Sequence, residues 1–397
     1  MRLVLFDWVH GGHHSVYVRR FAEALGSLME ISVAAPDSTM TELADLQAEM
    51  IPLGSARPTI DRNKSLRRPR RHVTRRELEL LAHAAARATA DHVLHLYADA
   101  VLPRLATTPS RGLRITTLLF YPRGHYPDAF DLHLTVPQRA RAAAKEAAVA
   151  GWRRRRDAHA VMTLDEEAAR RWSAKRGAPA YWVPEPTIES VPLRVPASAR
   201  SGCVLYGALA DRKGIDLLAR AIGSDLTPIQ VTVAGEADPR FLPRLRELLG
   251  EMSRGGASVE LRAHRHTEAE GLRALATARC AALPYPRHDG MSRVLVEACS
   301  VGTPVIVHDY GLLAHLVRRH GLGLVVDCND SRSLREALLA FATDASATER
   351  YAPALESFAA RFSRERFAEA VSRPFRGEAD ATGEHPPDKA GLHAQQG

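Results

Sequence analysis

The stretch from Ala281 to Val307 constrains this chain more than any other. It runs from an apolar strand (Ala281-Ala282-Leu283) through a turn marked by Pro284, Pro286 and Gly290 into a helix opening near Ser292. Gly302 stops that helix, and after Thr303-Pro304 the run Val305-Ile306-Val307 reads as another strand. This is half of a β-loop-α-β unit, whose loop lies at the carboxyl edge of a sheet, where ligands sit. The helix N-terminus presents free N–H groups there that suit a phosphate. Val294, Leu295, Ala298 and Val301 recur at helical spacing, which leaves Arg293 and Glu297 off the apolar stripe. Asp289 and Glu297 therefore bracket the helix opening.

The same alternation extends along the chain. Arg2 to Phe6 reads as a first buried strand, Gly11-Gly12 turn into a helix carrying Val16, Phe21, Ala24 and Leu25, and Ile31 to Ala35 follow as a strand. That glycine pair lacks the G-x-G-x-x-G spacing of a dinucleotide fingerprint; it lets a substrate approach the backbone or is a bare turn. Further strands are expected at Val93–Leu96, Arg114–Leu119, Ala160–Leu164 and Ala180–Pro184, with helices from about Glu77 and from Pro137 through Arg153. Asp61 to Arg76, rich in arginine and without apolar period, reads as an exposed loop, with an acceptor lid or an acidic-membrane contact as alternatives. After a proline-rich segment the pattern restarts: strands at Cys203–Tyr206, Ile229–Ala234, Val259–Leu261, Cys280–Leu283 and Leu324–Val326, with helices at Leu242–Leu249, Thr267–Thr277 and Ser331–Ala342. The fold class expected is α/β, two Rossmann-like halves facing a cleft that would hold the site. The expected division is residues 1–190, a linker at 191–200, a second domain at 201–360, a helix at 361–376 and a polar, disordered tail at 377–397.

Composition narrows the function classes. The four cysteines fall in or beside apolar runs without metal-ligand spacing, so they read as buried free thiols of a reducing, cytoplasmic setting. No apolar run of about 18 residues suggests a membrane span, and nothing reads as a signal peptide. The net charge of +8 would suit nucleic acid or a membrane surface, yet aromatics are 6% and no nucleic-acid motif occurs. A basic, non-catalytic binding protein is thus the weaker alternative, and peripheral membrane contact rests on Arg67–Arg76 and Arg153–Arg156. Of 54 basic residues only Lys64, Lys145, Lys175, Lys213 and Lys389 are lysine, which lowers the weight of any one arginine and raises that of Lys213.

Lys213 sits in the second constellation, Gly207-Ala208-Leu209-Ala210-Asp211-Arg212-Lys213-Gly214, between the Cys203–Tyr206 strand and an apolar helix. A phosphate-bearing leaving group needs fixed positive charge; Arg212 offers a planar fork and Lys213 a compact point charge. A P-loop is excluded, because Arg212 stands where its second glycine belongs. No Asp-x-Asp pair occurs, so no metal is expected, and a zinc site at His10, His13 and His14 lacks a matching further ligand.

An acid, seven intervening residues and a glutamate, with Gly290 after the first acid and Ala298 after the second, resembles the signature of retaining GT-B glycosyltransferases of the family 4 type, the glycosyl transferases group 1. The usual first acid is Glu, and Asp289 is one methylene shorter. The Arg212-Lys213-Gly214 segment resembles the motif with which that family grips the donor diphosphate. The resemblance implies a nucleotide diphosphate sugar as co-substrate, no cofactor, an acceptor-side first domain and a donor-binding second domain. It also implies that the helix at 361–376 returns to the first domain. Arg212, Lys213 and Asp289 would then be catalytic. Glu297 would accept from the ribose hydroxyls, while Asp289 with the backbone of Gly290, Met291 and Ser292 would hold the sugar and distal phosphate. Gly12, Gly207 and Gly235 would border the donor.

Family members commonly carry a His near Thr117–Pro122, where this chain has none; His125 is nearby, and His13, His14 and His95 are other candidates. For the acceptor, a small secondary metabolite or an envelope glycan, the candidates are Asp7, His13, His95 and His125. If Asp7, Asp99, Asp128 and Asp131 faced the cleft, a cationic aminocyclitol would fit. A nucleotide-sugar epimerase on the same architecture is the enzymic alternative.

Overall fold

The computed structural model describes residues 2–9, 14–57, 71–110, 112–130, 132, 134–186, 195–223, 228–344 and 346–376. Two parallel sheets form. The first contains β1 (Arg2–Phe6), β2 (Glu30–Ala35), β3 (Glu49–Pro52), β4 (His92–His95), β5 (Arg114–Leu119), β6 (Ala158–Thr163) and β7 (Ala180–Trp182), in the order β3-β2-β1-β4-β5-β6-β7. The second contains β8 (Cys203–Tyr206), β9 (Gln230–Ala234), β10 (Ser258–Arg262), β11 (Cys280–Leu283), β12 (Val305–His308) and β13 (Gly323–Val326), in the order β10-β9-β8-β11-β12-β13.

Helices cover both faces of each sheet, so inner strands such as β1 and β11 are buried on both faces instead of alternating between core and solvent. In β1, Val4 and Phe6 enter one buried cluster while Leu3 and Leu5 enter the one on the opposite face. In the second sheet, Cys203 and Leu205 face one layer and Val204 the other. Each sheet reverses its winding at one place, between β1 and β4 and between β8 and β11. The crevice outside the carboxyl ends of the strands at such a point is where doubly wound sheets bind ligands.

One expectation needs correction, and two elements are additions. The loop expected at Asp61–Arg76 is helical from Arg71, within helix Arg71–Arg87; residues 58–70 lie outside the described residues. Arginine is a strong helix former, and Arg75 pairs with Glu79 one turn on at 2.9 Å, so the absence of an apolar period there misled. Strand β3 and helix Gly311–His320 were not anticipated. The first is a four-residue edge strand with one buried residue, too short to carry a period. The tail at 377–397 lies outside the described residues.

The chain passes between the sheets twice. The first crossing follows β7. The second lies near Arg361, whose guanidinium meets Glu166 at 2.6 Å and covers the Trp182 ring at 5.0 Å. Beyond it, helix Arg364–Ser372 packs on helix His14–Leu25, with Phe367 edge-on to Phe21 at 5.2 Å between centres. The four cysteines are buried and free. No helix of the described residues is long and apolar enough to cross a membrane.

Candidate functional site

The switch point of the second sheet gathers the two motifs. The turn after β8 and the turn after β9 press together: a Cβ on Gly235 would lie 2.0 Å from the carbonyl oxygen of Gly207, and Gly235 has φ +140°. Only glycine fits there. Lys213 ends the short 3₁₀ turn Asp211–Lys213 and is buried. Its Nζ donates to Tyr285 Oη at 2.8 Å and lies 3.1 Å from where a Gly207 Cβ would be. Burial, then the neighbouring Arg212, pull the Lys213 amine down to about 7, against the opposing pull of Glu297. Arg212 is exposed at the rim. Together they form a cationic corner with one compact, desolvated ammonium and one planar fork.

Across from it, the turn after β11 leads into helix Arg293–Ser300 with Ser292 buried at the N-cap position. Glu297 lies one turn inside this helix, mostly buried, and accepts from Arg293 Nε at 2.7 Å. Burial pushes its carboxyl up, while Arg293 and Lys213 hold it down. The two motifs therefore act on one another electrostatically. Arg293 also lies 4.0 Å from Glu268 and holds down Glu185, a buried carboxyl after β7 that burial raises to about 7 and that hydrogen-bonds Tyr17.

Asp289 is met from both halves of the chain. Arg123 pairs with its Oδ2, and Tyr310 Oη donates to Oδ1 at 3.3 Å. Gly290, with φ +92°, donates its N–H to Tyr126 Oη at 2.8 Å. Tyr126 in turn abuts Gly311, where φ is +63° and a Cβ would lie 3.1 Å from the ring. Gly311→Ala is therefore expected to destabilise the fold by about 1–2 kcal/mol, through the left-handed backbone and the displaced ring. The difference in urea midpoint between variant and wild type measures this.

The other expected site residues are distributed as follows. Gly207, Gly235, Arg212, Lys213, Glu297 and Asp289 to Ser292 come together. Gly12, His10, His13 and Asp131 lie outside the described residues. Asp7, buried at the end of β1, accepts from Val9 N at 2.9 Å and meets His14 Nδ1 at 2.7 Å. His95 is buried 3.2 Å from Glu77, which also accepts from Arg57, and His125 is buried 3.1 Å from Asp165. Asp99 accepts from the N–H groups of Phe120 and Tyr121 at 2.9 and 2.8 Å. Asp128 is exposed, 3.6 Å from Arg171. Among the described residues no group of three or more His, Cys, Asp or Glu could hold a metal ion.

Sequence reasoning missed Arg123, Arg293, Tyr126, Tyr285 and Tyr310. For Arg293 a signal existed, since it stands four residues before Glu297 on one helix. The others reach the site through the tertiary fold.

Known proteins share this architecture. Residues 200–344 match the family profile described as "Glycosyl transferases group 1". No curated protein matches the sequence. Among solved structures, sucrose-phosphate synthase from Thermosynechococcus elongatus superposes with a TM-score of 0.67 at 18% identity, over 94% of this chain and 98% of that one. The Anabaena protein HepE, solved with UDP and glucose, gives 0.64 at 14% identity over 94% and 99%. The trehalose-6-phosphate synthase OtsA gives 0.67 at 11% identity over 95% and 99%. The segment that carries both motifs is thus similar to the group 1 glycosyl transferases, and the whole chain has the GT-B fold of two Rossmann-like domains that these structures share.

Proposed function

We propose that this chain transfers a sugar from a nucleoside diphosphate sugar to an acceptor hydroxyl, with retention of the anomeric configuration and without a metal ion. The observation that carries the reading is the convergence, at one switch point, of the buried Lys213 ammonium, the Gly207–Gly235 turn and Glu297 on the facing helix. Lys213 and Arg212 take the departing diphosphate, with the N–H groups at the opening of helix Arg293–Ser300 completing the anion site. Glu297 accepts from the ribose hydroxyls, through the oxygen that Arg293 Nε leaves open. Asp289, oriented by Arg123 and Tyr310, holds the transferred sugar.

In the reaction the bond from the anomeric carbon to the diphosphate oxygen breaks, and the acceptor oxygen bonds to that carbon from the same face. The acceptor proton passes to the departing phosphate. The Asp-x7-Glu spacing, which resembles that of retaining enzymes, supports this course. It needs no enzymic nucleophile, unlike glycoside hydrolysis by paired carboxylates.

Calorimetric titration with UDP, GDP, ADP and dTDP tests the donor site; HepE, of the same fold, was solved with UDP. One diphosphate is expected to bind, and Glu297→Ala to weaken it about tenfold or more, as loss of a hydrogen bond to a charged group predicts. Equal affinity in the variant, or binding of none of the four, would overturn the donor assignment. The anomeric coupling constant of the product by NMR tests retention.

A further inference from the structure

The carboxyl ends of β1, β4 and β5 carry a group of aromatic rings that donor binding does not use. Aromatic residues are only 6% of the chain, yet Tyr97, Phe120 and Tyr121 converge here with His14. The Tyr97 ring centre lies 4.9 Å from those of His14 and Phe120 and 5.9 Å from that of Tyr121. All four are partly exposed. The wall they form meets the Asp289 turn directly, since a Cβ on Gly290 would lie 2.5 Å from the Phe120 carbonyl oxygen and 3.2 Å from the Tyr121 ring. Tyr97 adopts φ 70° and ψ 46°. A bulky residue rarely takes this left-handed conformation, and such outliers collect at ligand sites.

Among the described residues, the charges beside the wall are paired. Asp7 meets His14 at 2.7 Å, Arg57 meets Glu77 at 3.1 Å while covering the Tyr97 ring at 5.4 Å, and Arg123 meets Asp289. Asp99 is engaged by two backbone N–H groups.

Resting on the donor reading above, we propose that this wall is the acceptor subsite and that the acceptor is a neutral cyclic polyol, a pyranose or a cyclitol. One face of such a ring is lined by C–H groups and stacks on aromatic side chains, while its rim hydroxyls reach the Asp7–His14 pair and the guanidinium of Arg57. A cationic acceptor finds each of the carboxylates Asp7, Asp99 and Asp289 already engaged. A phosphorylated one finds the guanidiniums of Arg57 and Arg123 paired. A flat aromatic acceptor leaves the polar rim unmatched.

Saturation-transfer NMR tests this without turnover, using myo-inositol, methyl glucoside, streptamine, a hexose phosphate and umbelliferone with the full chain. Saturation is expected on the C–H protons of the two neutral polyols. Tyr97→Gly, which suits the left-handed backbone at that position, is expected to weaken their binding about tenfold while nucleotide affinity stays unchanged. Preference for streptamine, the hexose phosphate or umbelliferone, no saturation of any probe, or equal polyol binding in Tyr97→Gly would overturn the proposal. Because nucleotide titration is read separately, failure of the acceptor assignment is distinguishable from failure of the donor site.

Discussion

Lys213→Met is expected to lower sugar transfer about 10²- to 10³-fold, the loss that follows removal of one preorganised charge aimed at a leaving group. The reason is local: the ammonium is buried against Tyr285 and faces the Gly207 turn, held in place before the leaving group's charge develops. Burial has already pulled this amine down to about 7, so its charge state is poised near neutrality. A bound diphosphate raises it again. At pH 8, nucleotide binding is therefore expected to take up close to one proton per site, and affinity to fall as pH rises above about 7. Titrations in two buffers of different ionisation enthalpy read the proton uptake, which Lys213→Met should abolish.

The same group makes a contribution to folding of known sign. Between about 7 and the ordinary lysine value of 10.5 the unfolded chain binds the proton and the folded chain does not. This group's contribution thus rises with pH across that window and is constant below it. A methionine variant that kept the wild-type pH slope would refute the assignment of the shift to Lys213.

Arg293→Met is expected to cost about 3–5 kcal/mol of stability, because removing one partner of a buried pair leaves carboxylates without a counter-charge. Arg293 and Glu297 side chains are only 9% and 14% exposed, Glu268 lies 4.0 Å from the same guanidinium, and Glu185 feels its charge. Burial already raises Glu185 to about 7, and losing the cation raises it and Glu297 further. A carboxyl raised in the folded state binds protons that the unfolded state has released, so its contribution falls as pH rises from the ordinary value of 4.5 towards the folded one. The loss in Arg293→Met should accordingly be larger at pH 8 than at pH 5. Urea melts at both values check this, and equal loss at both would show that packing, not charge, is what Arg293 supplies. Arg293→Lys, which keeps the charge but not the fork, is expected to recover part of the stability.

Much of the site was legible because it is local. Glu297, Asp289 and Gly290 lie within one strand-to-helix turn, and Lys213 stood out against a chain that otherwise chooses arginine. The alternation of apolar runs gave most strands, since buried parallel strands are apolar on both faces and short. Arg123 was not legible: its partner Asp289 is 166 residues away, and in an arginine-rich chain nothing local marks it. The acids proposed for a cationic acceptor were visible as residue types, but their occupancy by His14 and by backbone N–H groups is a property of the tertiary fold. The start of helix Arg71–Arg87 is not legible in the sequence, because dense arginine without an apolar period fits an exposed loop as well as a helix, of which arginine is a strong former.

The double passage of the chain between the sheets restricts how the cleft can open. A single connecting strand behaves as a ball joint, free to swivel and twist. A second connection near Arg361, held by Glu166 and Trp182, removes part of that freedom. It tethers the half that carries the donor loop at Asp289 to the half that carries the aromatic wall, where the Tyr121 ring lies 3.2 Å from the place a Gly290 Cβ would take.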